Sequence, residues 1–377
     1  MAGHDAHNAI AQPLALGDGA GPRVGVKECI DIAGIATRCG SAALADTPPA
    51  RRHAIVVQRL LDSGCRVIGT TNMHELAFGV SGINALGTPT NPAWPTLIPG
   101  GSSSGSAVLA ASGACDFSLG TDTGGSVRMP ACCCGVYGFK PTFGLVDRDG
   151  VAPAKSSLDC VGVFARDPAM IVRAMAALVP GFEAASAAGP FRLKQVKMDA
   201  EPDVLAAVDL SLDGLIQAQA TLHELGNAFS AGMTIIGREA WLAHGWLLDR
   251  GGLGADVAER LGKARTVTDE TVAAAEHVRS RFGAEVDAAL EGADALCLPT
   301  LPSVPPGLVH DGSALLPLTA LVRPFNLSGH PAMSIPIRTA AGLPAGLQLV
   351  GRKGDDATIC AIALWLAGLR PQTFQPA

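Results

Sequence analysis

The sequence predicts an α/β fold, a single large domain built on a mixed β-sheet. Three observations lead there. Short β-branched and apolar runs alternate with longer segments of helical periodicity along most of the chain. The 45 glycines and 26 prolines punctuate a chain with only 16% charged residues, which suits an enzyme whose many loops approach a ligand. Finally, the 377 residues contain no internal repeat, low-complexity tract or clear linker, and that length can bury one large core.

In chain order, PRVGVKECIDIAG (Pro22–Gly34) reads as a short strand, a turn and a return strand. ARRHAIVVQRLLDSG (Ala50–Gly64) carries apolar residues at helical spacing and stops at a glycine, as helices commonly do. RVIGTTN follows as a buried strand that opens into a loop at Asn72. The next roughly 30 residues, rich in Gly, Pro, Asn and Thr, are an irregular stretch of the length that is usually functional. Ser104–Ala114 is nearly all Ser, Gly, Ala, Val and Leu, a helix able to pack closely on every side. DFSLGTDTGG reads as a strand running into a turn at Ser126. Residues 165–185 and 201–292 read as mostly helical, with a break at Gly251–Gly254. ALCLPTLPS and PAMSIPIRTAAGLPAGLQLVG supply further strands, and a last helix starts near Asp356.

Composition narrows the function. Net charge is −6 with no basic cluster, so neither nucleic acid nor an anionic membrane is an expected partner. No apolar run approaches the ~18 residues that span a bilayer. The first 21 residues lack a basic start followed by an apolar block, so a cytoplasmic location is expected. Of the ten cysteines, Cys132, Cys133 and Cys134 are consecutive and diverge too much to hold one metal, and the others form no C-x-x-C pair. They are expected to be buried thiols that pack as small hydrophobes.

The chemistry gathers at GTDTGGSVRMPACCCG (Gly120–Gly135), where a serine stands directly behind two glycines. A serine hydroxyl is a weak nucleophile until a base takes its proton, and no histidine is close in sequence. An amine serves as that base in serine–lysine variants of the catalytic triad, provided burial lowers its pKa from about 10.4. Lys27 in VGVKECIDIAG follows a β-branched run among apolar residues and is the candidate; a lysine there also fits a side chain that snorkels to water. The loop Gly100–Gly105 offers further hydroxyls. It fits a flexible loop or a catalytic loop better than a phosphate cradle, because G-x-x-x-x-G-K-[ST] is absent.

Taken together, K-x-x-x-D-x-A-G (Lys27–Gly34), GGSSSGSA (Gly100–Ala107) and GTDTGGSVRMPA (Gly120–Ala131) resemble the amidase signature family in order and spacing. TTNMHELAFG, GTPTNP, GFKPTFGLV, SLDCVGVFARD, NLSGHPAMSIP and GLPAGLQLVG extend the likeness. The resemblance is dense from Pro22 to about Pro180 and returns from Ala295; it implies one domain over 1–377. A catalytic core would span about 22–180 and 295–370, with a variable, mainly helical middle at 181–294. It also implies a twisted sheet covered by helices on both faces. By this resemblance Ser126 is the acylated nucleophile, Ser102 the bridging serine after a cis Gly101–Ser102 peptide, and Lys27 the base. The N–H groups of Thr123, Gly124, Gly125 and Ser126 would stabilise the oxyanion, with glycines at 124 and 125 because side chains would obstruct it. Asp122 and Arg128 are expected to pair with each other, and His74 to be a loop or rim residue.

The implied reaction is hydrolysis of a small-molecule amide to a carboxylate and ammonia, with no metal or organic cofactor. Short indole-acetamide hydrolases are the most similar branch. A glutaminase subunit that passes ammonia to a partner and a hydrolase of urea-derived amides such as biuret or allophanate stay open, as does a homodimer. A binding protein on the same scaffold is disfavoured by the presence of all three catalytic residues.

Overall fold

The computed structural model describes residues 5–310 and 315–377. Its frame is an eleven-stranded mixed sheet. In chain order the strands are β1 (Ile10–Leu16), β2 (Arg23–Lys27), β3 (Arg66–Thr71), β4 (Phe117–Asp122), β5 (Tyr137–Lys140) and β6 (Cys160–Ala165). They continue with β7 (Leu193–Val196), β8 (Ile216–Ala220), β9 (Ala295–Pro299), β10 (Ala332–Arg338) and β11 (Pro344–Val350). Their order in space is β1-β3-β2-β4-β6-β5-β10-β11-β9-β7-β8. The β3-β2-β4 and β9-β7-β8 neighbours run parallel and the remaining pairs antiparallel.

Among the described residues ten α-helices flank the sheet: α1 (Ile55–Asp62), α2 (Ser104–Ala111), α3 (Arg128–Cys134), α4 (Pro168–Leu178) and α5 (Pro202–Leu212), then α6 (Leu225–His244), α7 (Ala255–Ala264), α8 (Asp269–Ala289), α9 (Pro324–Leu327) and α10 (Asp356–Leu369). Strand β6 shows that they cover both faces. Val161, Val163 and Ala165 pack in one apolar cluster with Ile171, Ala174 and Met175 of α4. Phe164, pointing the opposite way because strand side chains alternate, packs with Ala107 and Val108 of α2 and Ala131 and Cys134 of α3. Both α2 and α3 lie deep in the protein: every residue of Ser104–Ala110 and of α3 is buried. Small side chains make that possible, and Gly135 in the left-handed region (φ 63°) ends α3.

The structure departs from the sequence expectations at specific places. No return strand follows Lys27; Ile30 N–H turns back onto the Lys27 carbonyl, and Ile30 makes only an isolated bridge to Val151. Strand β1 is an addition to the expected elements, because it contains Pro13 and is half exposed at the sheet edge. The middle region is mainly helical, as expected, but it adds two strands at the far end of the sheet, the half-buried four-residue β7 and the exposed β8, whose short, polar sequences carry a weak pattern. The break at Gly251–Gly254 is present, with φ of 78° and 84° at the first two glycines.

All ten cysteines are free and buried. Burial pushes the thiols of Cys115 and Cys160 up, to about 12 and about 11. Native protein is therefore expected to react with a disulfide reagent at none of its ten thiols until it unfolds; rapid labelling of any of them in the folded state, read by mass, would contradict this packing.

Candidate active site

Two parallel neighbours bring the first pieces together. Val26 of β2 pairs with Leu119 of β4, so Lys27 and Thr121 emerge at the same, carboxyl end of adjacent strands. Lys27 Nζ lies 2.7 Å from Thr121 Oγ1 and 2.7 Å from Ser102 Oγ. Lys27, Ser102 and Asp122 are fully buried and Thr121 almost so. Burial pushes the Lys27 amine below its ordinary value, against the opposing pull of Cys29 and Asp159. Among the described residues Lys27 Nζ has only these two hydroxyls as hydrogen-bond partners and no contacting carboxylate, the setting in which an amine gives up its charge.

Ser102 comes from the segment between the long irregular stretch and α2. Its peptide with Gly101 is cis. The Ser102 carbonyl accepts the N–H of His74 at 3.0 Å. His74 is thus not on a rim: it is buried, its Nε2 is 3.1 Å from Asp256 Oδ2, and its backbone holds the serine loop in place. The Ser103 hydroxyl bonds both the N–H and the carbonyl of Thr121 at 3.2 Å, tying the loop to β4.

Ser126 stands at the other side, on the turn between β4 and α3. Its backbone carbonyl accepts Ser103 N–H at 3.4 Å, which places the two serine segments side by side. The Ser126 hydroxyl makes no hydrogen bond among the described residues, to Ser102 or any other, and the residue is 7% exposed. The structure therefore joins Lys27 to Ser102 directly and leaves Ser126 Oγ unengaged beside them.

The turn itself is organised by Asp122. Its Oδ1 accepts Gly125 N–H at 2.7 Å, and its Oδ2 accepts the N–H groups of Val127 (3.2 Å) and Arg128 (3.3 Å). Arg128 binds the same carboxylate with Nε and Nη2, each at 3.0 Å, so the expected Asp122–Arg128 pair forms and is fully buried. Asn326 Nδ2 reaches the Asp122 carbonyl at 2.6 Å and Oδ1 at 2.9 Å. Burial alone would raise the Asp122 carboxyl, but the Arg128 charge and these donors hold it well below the usual carboxylate range.

This geometry corrects one expectation. The Gly125 N–H is spent on Asp122 and is not a free oxyanion donor. The N–H groups of Thr123, Gly124 and Ser126 make no such bond among the described residues. Gly125 is glycine for another reason: φ is +111°, and a Cβ there would run into Val322. Thr123 is fixed by its hydroxyl, which donates to Asp159 Oδ1 at 2.8 Å, and Asp159 pairs with Arg148 at 2.8 Å.

Sequence reasoning missed Thr121, Asp159 and Asn326. Thr121 lies inside the quoted motif and faces Lys27 because strand side chains alternate. Asn326 arrives from about 200 residues downstream in NLSGHPAMSIP, whose only sequence signal is the family resemblance. Arg128 also donates to the Val322 carbonyl (2.7 Å) and to Gln348 Oε1 (2.8 Å). Arg128→Met would leave a buried carboxylate unpaired, and such a loss is expected to cost about 3–5 kcal/mol. A denaturant midpoint unchanged from wild type would contradict that structural role.

Among the described residues no group of His, Cys, Asp and Glu is arranged to hold a metal ion, and no helix is long and apolar enough to cross a membrane. The Amidase family profile matches residues 20–212 and 249–360. A protein named Amidase 1 from Oryza sativa subsp. japonica is 32% identical over 88% of this chain and 86% of its own length. A glutamyl-tRNA(Gln) amidotransferase subunit from an Exiguobacterium species is also 32% identical, over 91% of this chain and 82% of its own. A crystal structure of an amidase superposes with a TM-score of 0.87 at 30% identity, covering 96% of this chain and 92% of that one. With the profile spanning most of the chain and the fold matching throughout, the protein belongs to the amidase family and is an amide-cleaving hydrolase.

Proposed function

We propose that the protein hydrolyses a small-molecule primary amide to a carboxylate and ammonia through an acyl-enzyme on Ser126. The observation that carries this reading is the 2.7 Å contact between a buried Lys27 amine and Ser102 Oγ, next to the turn that presents Ser126. Neutral Lys27 takes the Ser102 proton as Ser102 takes that of Ser126, and Ser126 Oγ attacks the amide carbonyl. The carbonyl oxygen becomes an oxyanion facing the N–H groups of Thr123, Gly124 and Ser126. Collapse breaks the C–N bond, the proton returns through Ser102 to the leaving nitrogen, and ammonia departs. Water, deprotonated by the same relay, then attacks the ester and releases the carboxylate and Ser126.

The core at 22–180 and 295–370 carries these groups. The middle, 181–294, contributes to the acyl pocket: a Cβ on Gly124 would stand 2.9 Å from Ile236 Cδ1 of α6. An ammonia-release screen over aryl-acetamides, aliphatic amides, glutamine and urea derivatives tests the reading. Release from a small amide by the isolated chain is the expected result. Release from glutamine alone, with a co-purifying protein that accepts the ammonia, would instead support a role within an amidotransferase, which the likeness to the Exiguobacterium protein raises.

A further inference from the structure

A second serine stands in front of a histidine and an aspartate. Ser328 follows α9, is 7% exposed, and lines a cavity of about 450 Å³ between that segment, α8 and the loop after β5. Ser126, Ser102 and Lys27 do not line this cavity. Behind Ser328, His330 is fully buried, with Nδ1 2.9 Å from Ser328 Oγ and Nε2 2.9 Å from Asp287 Oδ1 of α8. Lys353 Nζ holds the other oxygen of the same carboxylate at 3.3 Å.

The contacts fix which nitrogen carries the proton. A carboxylate only accepts, so Nε2–H donates to Asp287 and Nδ1 accepts the Ser328 hydroxyl. Burial lowers the imidazole to about 4, so the ring is neutral at pH 7 and can take a proton. A hydroxyl on a neutral imidazole that a carboxylate orients is the arrangement that activates a serine, recognised by geometry and not by place in the chain.

The cavity also suits a small ligand. Gly283 is buried in the middle of α8, where glycine costs about 1 kcal/mol relative to alanine. No clash requires it: a Cβ there would meet only Lys353 Nζ, at 3.8 Å, so the glycine keeps space open. Arg279 and Lys353 bring positive charge to the walls, and Phe143 and Leu327 bring apolar surface. Backbone donors are scarce, because the N–H groups of Ser328 and Gly329 already bond the carbonyls of Pro324 and Asn326. An oxyanion here depends on the side-chain cations, which restricts the site to substrates whose leaving group departs readily.

We propose that Ser328, His330 and Asp287 form a second hydrolytic site, which cleaves small carboxylic esters with acidic leaving groups such as phenols. Ser328 Oγ bonds to the ester carbonyl carbon as its proton passes to His330 Nδ1. The C–O bond to the leaving group then breaks, and the leaving oxygen takes that proton. Water attacks the acyl-serine while giving a proton to the same nitrogen; the acid is released and the proton returns to Ser328 Oγ.

The test uses full-length Ser126→Ala protein, in which the first serine cannot be acylated, with p-nitrophenyl acetate as the probe. Nitrophenol release is followed, and acetylation is mapped by peptide mass spectrometry. An acetyl mass on the peptide containing Ser328 is the expected result. Adding Ser328→Ala should lower kcat/KM for the ester at least about 100-fold. Adding Asp287→Asn instead should lower it at least about 30-fold, because an amide no longer holds the ring in the required tautomer. The mapped adduct needs no change at residues 287, 328 or 330, so it decides the question even if a double variant fails to fold. Ester cleavage independent of residue 328, acetylation confined to other residues, or no cleavage at all would overturn the proposal.

Discussion

Ser126→Ala is expected to eliminate amide hydrolysis, to the limit of detection in an ammonia assay. The other hydroxyl on the turn, that of Thr123, is held on Asp159 Oδ1 at 2.8 Å. Cys132, Cys133 and Cys134 are enclosed within α3, and burial holds their thiols protonated. The substitution removes one hydroxyl oxygen that makes no hydrogen bond among the described residues, so the fold should be undisturbed. Turnover by the alanine variant within tenfold of wild type would remove Ser126 from the mechanism.

Lys27→Ala should reduce the acylation rate by on the order of 10²–10⁴, the usual worth of general-base assistance. Ser102→Ala should be comparably damaging, and the double variant little worse than either, because residues acting as one relay are not additive. The pH dependence follows from the sign of the lysine's shift. Burial lowers its pKa, and only the neutral amine accepts a proton. Wild-type activity should therefore be low below that lowered pKa, rise through it and level off above. The same rising limb should be missing in Lys27→Ala. Independent, multiplying losses from Lys27→Ala and Ser102→Ala, or an unchanged pH profile in Lys27→Ala, would show that the two side chains do not share a proton.

Much of this site could be read from the chain before the fold was known. The serine behind two glycines, the serine–glycine loop and a lysine after a β-branched run are local signals, each with its own chemical reason. The paired strands β2 and β4 then bring the lysine to the loop. What could not be read depends on contacts between distant segments. Asn326 meets the turn from about 200 residues away, and nothing in its local sequence distinguishes it from an ordinary helix-start residue. Gly125 looked like an oxyanion donor because a Gly-Gly turn exposes N–H groups. Only the position of the Asp122 carboxylate, set by Arg128 and Asn326, shows where that N–H goes. His74 looked peripheral because a Gly- and Pro-rich stretch reads as surface. Packing against α7 instead buries it, with its N–H on the Ser102 carbonyl. Strands β1, β7 and β8 escaped notice for a different reason: the edge strands β1 and β8 are half exposed, and β7 beside β8 has only four residues with Lys and Gln at its centre, so all three lack the alternation that marks a covered strand.

The central claim is that Ser126 carries the acyl group. It is tested most directly by quenching the wild-type enzyme during turnover of a slow amide or hydroxamate substrate and mapping the adduct by peptide mass spectrometry. The account predicts an acyl mass on the peptide containing Ser126, formed faster as pH rises and absent from Ser126→Ala. An adduct on Ser102 or on any cysteine, or full turnover with no adduct on Ser126, would contradict it.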